Sequence, residues 1–266
     1  MLPLIIEPSE LQGYPEFDDL LIIDLSKQDG YEKAHIPGAI HVSPAEIISG
    51  TPPAPGKLPG IAQLEALFSR IGYSADRHIV VYDDEGGGWA GRFVWTLDLI
   101  SHSKVSYLNG GIHAWLAAGY PVTETIPEPA MTEVTLTISP SFTATKEEVL
   151  ASLDDGNVLI WDARSPAEYL GEKKFSLRGG HIPGAINLDW LETMDRESEL
   201  RIRKDINEVL VNRGLTKDKQ IITHCQTHHR SGLTYLIGKS LGYDIRAYPG
   251  SWSEWGNDSD TPVETG

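Results

Sequence analysis

The chain repeats itself once, and that limits what it can become. Leu20-Leu21-Ile22-Ile23-Asp24 returns as Val158-Leu159-Ile160-Trp161-Asp162, each an apolar run closed by aspartate. His35-Ile36-Pro37-Gly38-Ala39-Ile40 returns as His181-Ile182-Pro183-Gly184-Ala185-Ile186. His78-Ile79-Val80-Val81-Tyr82-Asp83 is matched by Lys219-Gln220-Ile221-Ile222-Thr223-His224. Gly110 followed by Trp115 is matched by Gly250 followed by Trp255. Tyr120-Pro121-Val122-Thr123-Glu124 is matched by Thr261-Pro262-Val263-Glu264-Thr265. Matches in one order across two halves mean one supersecondary unit built twice.

Within each half, short apolar runs alternate with amphipathic segments, such as Leu64, Leu67, Phe68 and Ile71, or Ile206, Val209 and Leu210. That alternation predicts an α/β fold, with a mostly parallel sheet in each half and helices on both faces. In such sheets the site lies at the carboxyl ends of the strands. The expected organisation is one domain over 1–125, a linker over 126–140 and a second domain over 141–266. The linker contains the Pro-, Thr- and Glu-rich stretch from Ile126 to Ser139.

With 266 residues, the chain is long enough for two ordinary domains, and 40% hydrophobic with 23% charged residues suits a folded protein. No stretch reaches membrane-spanning length. Met1-Leu2-Pro3-Leu4-Ile5-Ile6-Glu7 lacks the basic start of a secretion signal. A single cysteine excludes an intramolecular disulfide, so a reducing, cytoplasmic setting is expected. A formal net charge of −16 argues against nucleic acid as a partner. An anionic substrate would therefore need a local basic pocket. Because the two halves already bury a face against each other, a monomer is the default expectation.

The single cysteine, Cys225, sits in His224-Cys225-Gln226-Thr227-His228-His229-Arg230-Ser231-Gly232. A short apolar run precedes it, and Leu233, Leu236, Ile237 and Leu241 follow at helical spacing. The thiol is thus expected on a strand-to-helix loop. There the free backbone N–H groups and the helix dipole favour an anion and lower a thiol's pKa. Arg230 adds a permanent cation for an anionic donor. His228 and His229 add hydrogen-bond donors or positive charge, and Gln226 and Thr227 complete the loop. Arg178, with Lys173 and Lys174, is expected to add charge at the rim, and Trp190 an apolar wall. His35 and His181 recur in both halves, which marks them as turn residues.

The first half has no such loop. Aligning Gly91 with Gly232 puts Asp84 where Cys225 stands and Trp89 where Arg230 stands. Without nucleophile or cation, the first half is expected to be catalytically silent and to shape one wall of a site between the halves.

In order, these motifs resemble the tandem-domain rhodanese family of sulfurtransferases. The residues that carry the resemblance are Asp162-Ala163-Arg164-Ser165-Pro166, Gly180-His181-Ile182-Pro183-Gly184-Ala185, the Cys225 loop and Gly250-Ser251-Trp252-Ser253-Glu254-Trp255-Gly256. The Cys225 loop and the run from Tyr82 to Arg92 are similar to the Azotobacter-type thiosulfate sulfurtransferase branch. The loop departs from the Cys-Gly-Ser-Gly-Val-Thr pattern of mercaptopyruvate sulfurtransferases, the alternative within the family. The resemblance implies transfer of the sulfane sulfur of thiosulfate through a Cys225 persulfide. The acceptor would be cyanide, a thiol or a sulfur-accepting protein, and no cofactor or metal is implied.

Two other chemistries compete. His224-Cys225 begins like a His-Cys-x5-Arg phosphatase loop, but only four residues separate Cys225 from Arg230. The smaller ring suits one sulfur atom better than a tetrahedral phosphate. A metal- or sulfur-binding module would draw on His224, Cys225, His228 and His229. Four ligands on one tight turn surround a tetrahedral ion poorly.

Overall fold

The apolar runs named above become the central strands of two parallel sheets in a computed structural model that describes residues 2–266. Met1 lies outside the described residues. The first half contributes β1 (Ile5–Ile6), β2 (Leu21–Asp24), β3 (Ile40–His41), β4 (Ile79–Tyr82) and β5 (Val105–Leu108), ordered β1-β5-β4-β2-β3. The second half contributes β6 (Val158–Asp162) and β7 (Ile186–Asn187), then the antiparallel pair β8 (Met194–Asp195) and β9 (Arg201–Ile202). β10 (Gln220–His224) and β11 (Ile245–Ala247) complete a second sheet ordered β11-β10-β6-β7. The central pairs are parallel, with Ile22 opposite Val80 and Ile160 opposite Ile222. β2, β4 and β5 are buried along their whole length, which is why they read as unbroken apolar runs rather than as alternating ones.

The repeated polar residues are turn-makers. Asp24 Oδ1 accepts the Ser26 N–H at 2.7 Å, and Asp162 Oδ1 accepts the Arg164 N–H at 3.0 Å. His35 stacks on Tyr31 and bonds its carbonyl through Nδ1, and His181 does the same with Tyr169. Both halves use the histidine in the same way, as a turn residue.

Two helices decide where the site lies. Gly88–Leu99 follows β4, Arg230–Ser240 follows β10, and the two pack against each other. Their backbones meet at Gly91 and Gly232. A Cβ on Gly91 would fall 2.3 Å from the Gly232 carbonyl oxygen, and one on Gly232 would fall 2.3 Å from that of Gly88. Only glycine fits at either position. One apolar core runs through the contact, joining Val81, Phe93 and Trp95 to Trp161, Leu233 and Leu236. Two strand-to-helix loops are therefore set side by side at the junction.

The stretch from Ile126 to Ser139 carries no regular element, but it is fastened along the first half. Thr132 N donates to the Ser69 carbonyl, Ser139 N donates to the Leu99 carbonyl, and Leu136 is buried. Among the described residues no helix is long and apolar enough to cross a membrane.

Candidate active site

Cys225 stands at the carboxyl end of the central strand β10, 1% exposed. The loop after it is held from behind by the Ser251–Trp255 helix. Trp252 N donates to the Cys225 carbonyl and Ser253 N to that of Gln226, both at 3.0 Å, while Cys225 N donates to Ser251 Oγ at 3.3 Å. With these groups taken up on one side, the sulfur faces the start of the Arg230–Ser240 helix. Burial pushes the thiol's pKa up. The Arg230 charge, the Ser231 hydroxyl and N–H, and His229 outweigh burial and hold it below the ordinary thiol value.

The cation beside the sulfur is shared. Arg230 makes a forked pair with Glu168, at 2.6 and 2.9 Å, and Glu168 is itself buried. Burial raises the Glu168 carboxyl and the Arg230 contact more than reverses this, so its pKa lies below the usual carboxylate range. The pair fixes the guanidinium plane, and Ser165 Oγ, 2.8 Å from Glu168, fixes the pair.

The two adjacent histidines part company. His228 has a φ of 56°, which turns its ring inward, fully buried and edge-on to Trp95. Its Nδ1 meets Ser231 Oγ at 2.8 Å, and burial, with Arg92 and His229 nearby, drives its pKa well below the ordinary histidine value. It is a neutral ring that orients Ser231. The His229 ring turns outward and stacks on Trp89 of the first half at 4.2 Å, with Trp190 of the second half 5.5 Å away. Its Nε2 bonds Glu85, also from the first half. A Cβ on Gly88 would fall 2.7 Å from that nitrogen, so the glycine makes room for the ring.

A family model described as the rhodanese-like domain matches residues 7–118 and again 145–258. The chain belongs to the rhodanese family. A thiosulfate sulfurtransferase of Azotobacter vinelandii is 52% identical over 264 residues, covering 99% of this chain and 97% of that protein. One from Pseudomonas aeruginosa is 50% identical with the same coverage. The solved anaerobic ergothioneine biosynthesis enzyme of Chlorobium limicola, 22% identical, superposes with a TM-score of 0.87 over 99% of this chain and 70% of its own, a likeness of fold.

In this rhodanese the residues expected at the site do not all gather at the sulfur. Arg178 is a correction: Thr261, Trp255 and Asp258 carbonyls take up its guanidinium, so it staples the C-terminal turn and offers no free charge to a substrate. His228 is a second, since it is a buried neutral ring and no rim cation. Gln226 directs its amide to Ser176 Oγ at 3.1 Å and to the Phe175 carbonyl. The Thr227 carbonyl packs against Gly56 of the first half. Trp190 lies beside the His229 ring. His224 points its Nε2 toward Asp162, 3.7 Å away. The three imidazoles thus face three different places, and among the described residues no group of three or more His, Cys, Asp or Glu side chains is placed to hold a metal.

Reading the sequence missed Glu168, Ser231, Ser251 and the part played by Glu85. Glu168 had a signal: Ser165-Pro166-Ala167-Glu168 has the form of a capping box. Ser251 falls just after the repeated Gly250. Ser231 adjoins Arg230 in the Cys225 loop and carries no signal of its own.

Proposed function

We propose that this chain is a thiosulfate sulfurtransferase with Cys225 as its nucleophile. The observation that carries the reading is a buried thiol, held below its ordinary pKa, facing a forked arginine and the Ser231 donors at a strand-to-helix loop. Two rhodaneses named for that activity, matched over nearly the full chain, support it. The Cys225 thiolate attacks the outer sulfur of thiosulfate. The S–S bond of the donor breaks, sulfite leaves with the electron pair, and Cys225 carries a persulfide anion. The acceptor, cyanide or a thiol, attacks the outer persulfide sulfur, and the thiolate is restored. Charge balances in both steps, so the loop needs to hold a sulfur anion throughout and never a proton. Arg230 stabilises the approach of the dianion, and Ser231 stabilises the thiolate.

The acceptor side fits a small molecule or a protein thiol that reaches the rim formed by Trp89, Trp190 and His229. The setting proposed is a reducing cytoplasm, with the chain working as a monomer. Intact mass after thiosulfate treatment tests the reading: one added sulfur atom, removed by cyanide and absent in Cys225→Ser, is expected. No mass change in the wild-type chain overturns it.

A further inference from the structure

The cations around the loop sort into pairs with carboxylates, with one left over. Arg230 is matched by Glu168, and the buried Arg164 by Asp162 at 2.6 Å. His229 is matched by Glu85. His224 and His228 are both held below the ordinary histidine value, mainly by burial, and are neutral. Asp189, at the rim beside Trp190, adds no cation. The remaining charge is Arg92, on the Gly88–Leu99 helix of the half without a nucleophile.

Arg92 is fully buried, and among the described residues no carboxylate lies within ion-pair distance of it. Its guanidinium is satisfied by dipoles alone. Nε and Nη2 donate to the Ile47 carbonyl at 3.3 and 2.9 Å, Nη2 to that of Lys57 at 3.4 Å, and Nη1 to that of His228 at 3.3 Å. Trp95 lies under it at 5.0 Å. The His228 carbonyl belongs to the Cys225 loop, so this cation reaches across the junction and grips the loop itself. A buried guanidinium with no anion is costly, and proteins seldom keep one unless function supplies the anion. Burial draws Arg92 down to about 9, and the Cys225 anion is the one charge that holds it up.

We infer that Arg92 is a positioning residue for the transfer reaction: it fixes the His228 carbonyl and provides the buried positive charge that the Cys225 thiolate, and the persulfide that replaces it, balance. The inference rests on the reading of Cys225 as the nucleophile. It gives the first half a duty beyond a wall. A sulfur anion persists through both steps, so a permanent cation out of reach of solvent and salt suits it better than a histidine that can lose its proton.

The test is the pH dependence of Cys225 alkylation by iodoacetamide, in the wild-type chain, Arg92→Gln and Arg92→Lys. Arg92→Gln is expected to move the reactive-thiolate profile to higher pH and to lower the alkylation rate at neutral pH about tenfold. Arg92→Lys keeps the charge but not the fork, and is expected to stay within about threefold of wild type. A wild-type profile in Arg92→Gln overturns the inference, while persulfide formation in the wild-type chain leaves the nucleophile reading standing. No persulfide in the wild-type chain removes both. Where Arg92→Gln does not fold, the intact chain decides. The Arg92 Nε–H resonance is expected to shift with the ionisation of Cys225 and to stay flat in Cys225→Ser. A resonance flat in both overturns the inference.

Discussion

Two loops, built from matching stretches of one repeat, lie side by side and do opposite things with the same backbone. In the second half the strand ends at His224, whose ring turns away, and the sulfur of Cys225 faces Ser231. In the first half the strand is followed by Asp83, and its carboxylate folds into the loop. Oδ1 accepts N–H groups from Glu85, Gly86 and Gly87 at 3.1, 3.1 and 2.8 Å, and Oδ2 accepts that of Ala90 at 3.0 Å. The first-half loop forms an anion cradle and fills it with a carboxylate of its own. Gly86 and Gly87 supply two of the four N–H groups that hold this carboxylate.

Cys225→Ser or Cys225→Ala is expected to abolish thiocyanate formation while leaving the thermal unfolding cooperative, because no second thiol exists. Residual turnover above a few per cent would contradict the two-step path. Adding Asp84→Cys to Cys225→Ser places a thiol at the matching point of the filled cradle. No turnover is expected, and turnover there would show that occupancy by Asp83 does not matter.

Next in size is the cation. Arg230→Ala is expected to lower kcat/KM for thiosulfate about ten- to a hundredfold, the scale of a charge-assisted contact of roughly 1.5–3 kcal/mol. Arg230→Lys recovers part of this, since a point charge does not reproduce the fork. Because Arg230→Ala also strands Glu168, the double variant with Glu168→Gln should be the more stable of the two in denaturant, while remaining as slow.

Smaller still is the effect of Asp83 on stability. Its carboxyl is pushed up to about 6 by burial and by Glu85, against the pull of its N–H partners. A carboxyl whose folded pKa exceeds its unfolded value of about 3.9 stabilises the fold below the unfolded value and loses that contribution as pH rises through about 6. Asp83→Asn should therefore flatten the decline in stability between about pH 4 and 6, measured by urea unfolding. A decline as steep as that of wild type would reject the assignment. Asp84→Ala, whose side chain stays outside the cradle, should leave turnover close to wild type. A loss near that of Cys225→Ala would show that the first half is not silent.

Much of this was legible in the repeat. Apolar strands closed by aspartate gave the two sheets, while the backbone contact between Gly91 and Gly232, which served only to align the halves, was not foreseen. The doubled His35 and His181 turns came out as structural because the half without a cysteine kept one. The placing of Cys225 and Arg230 on one strand-to-helix loop was legible. What stayed hidden was direction. Nothing in His228-His229 says that one φ turns one ring inward and leaves the other on the rim. Arg178 looked like rim charge because its partners, the carbonyls of Trp255 to Thr261, lie far along the chain. Glu168 meets Arg230 across 62 positions, and Arg92 meets the His228 carbonyl across 136, separations at which spacing carries no information.

The glycine contact at the junction has a mechanical consequence. Helices whose backbones touch at Gly91 and Gly232, inside one continuous core, leave no hinge between the halves. The halves are tied together again beside the Cys225 loop, where the His229 ring stacks on Trp89 of the first half and meets Trp190 of the second.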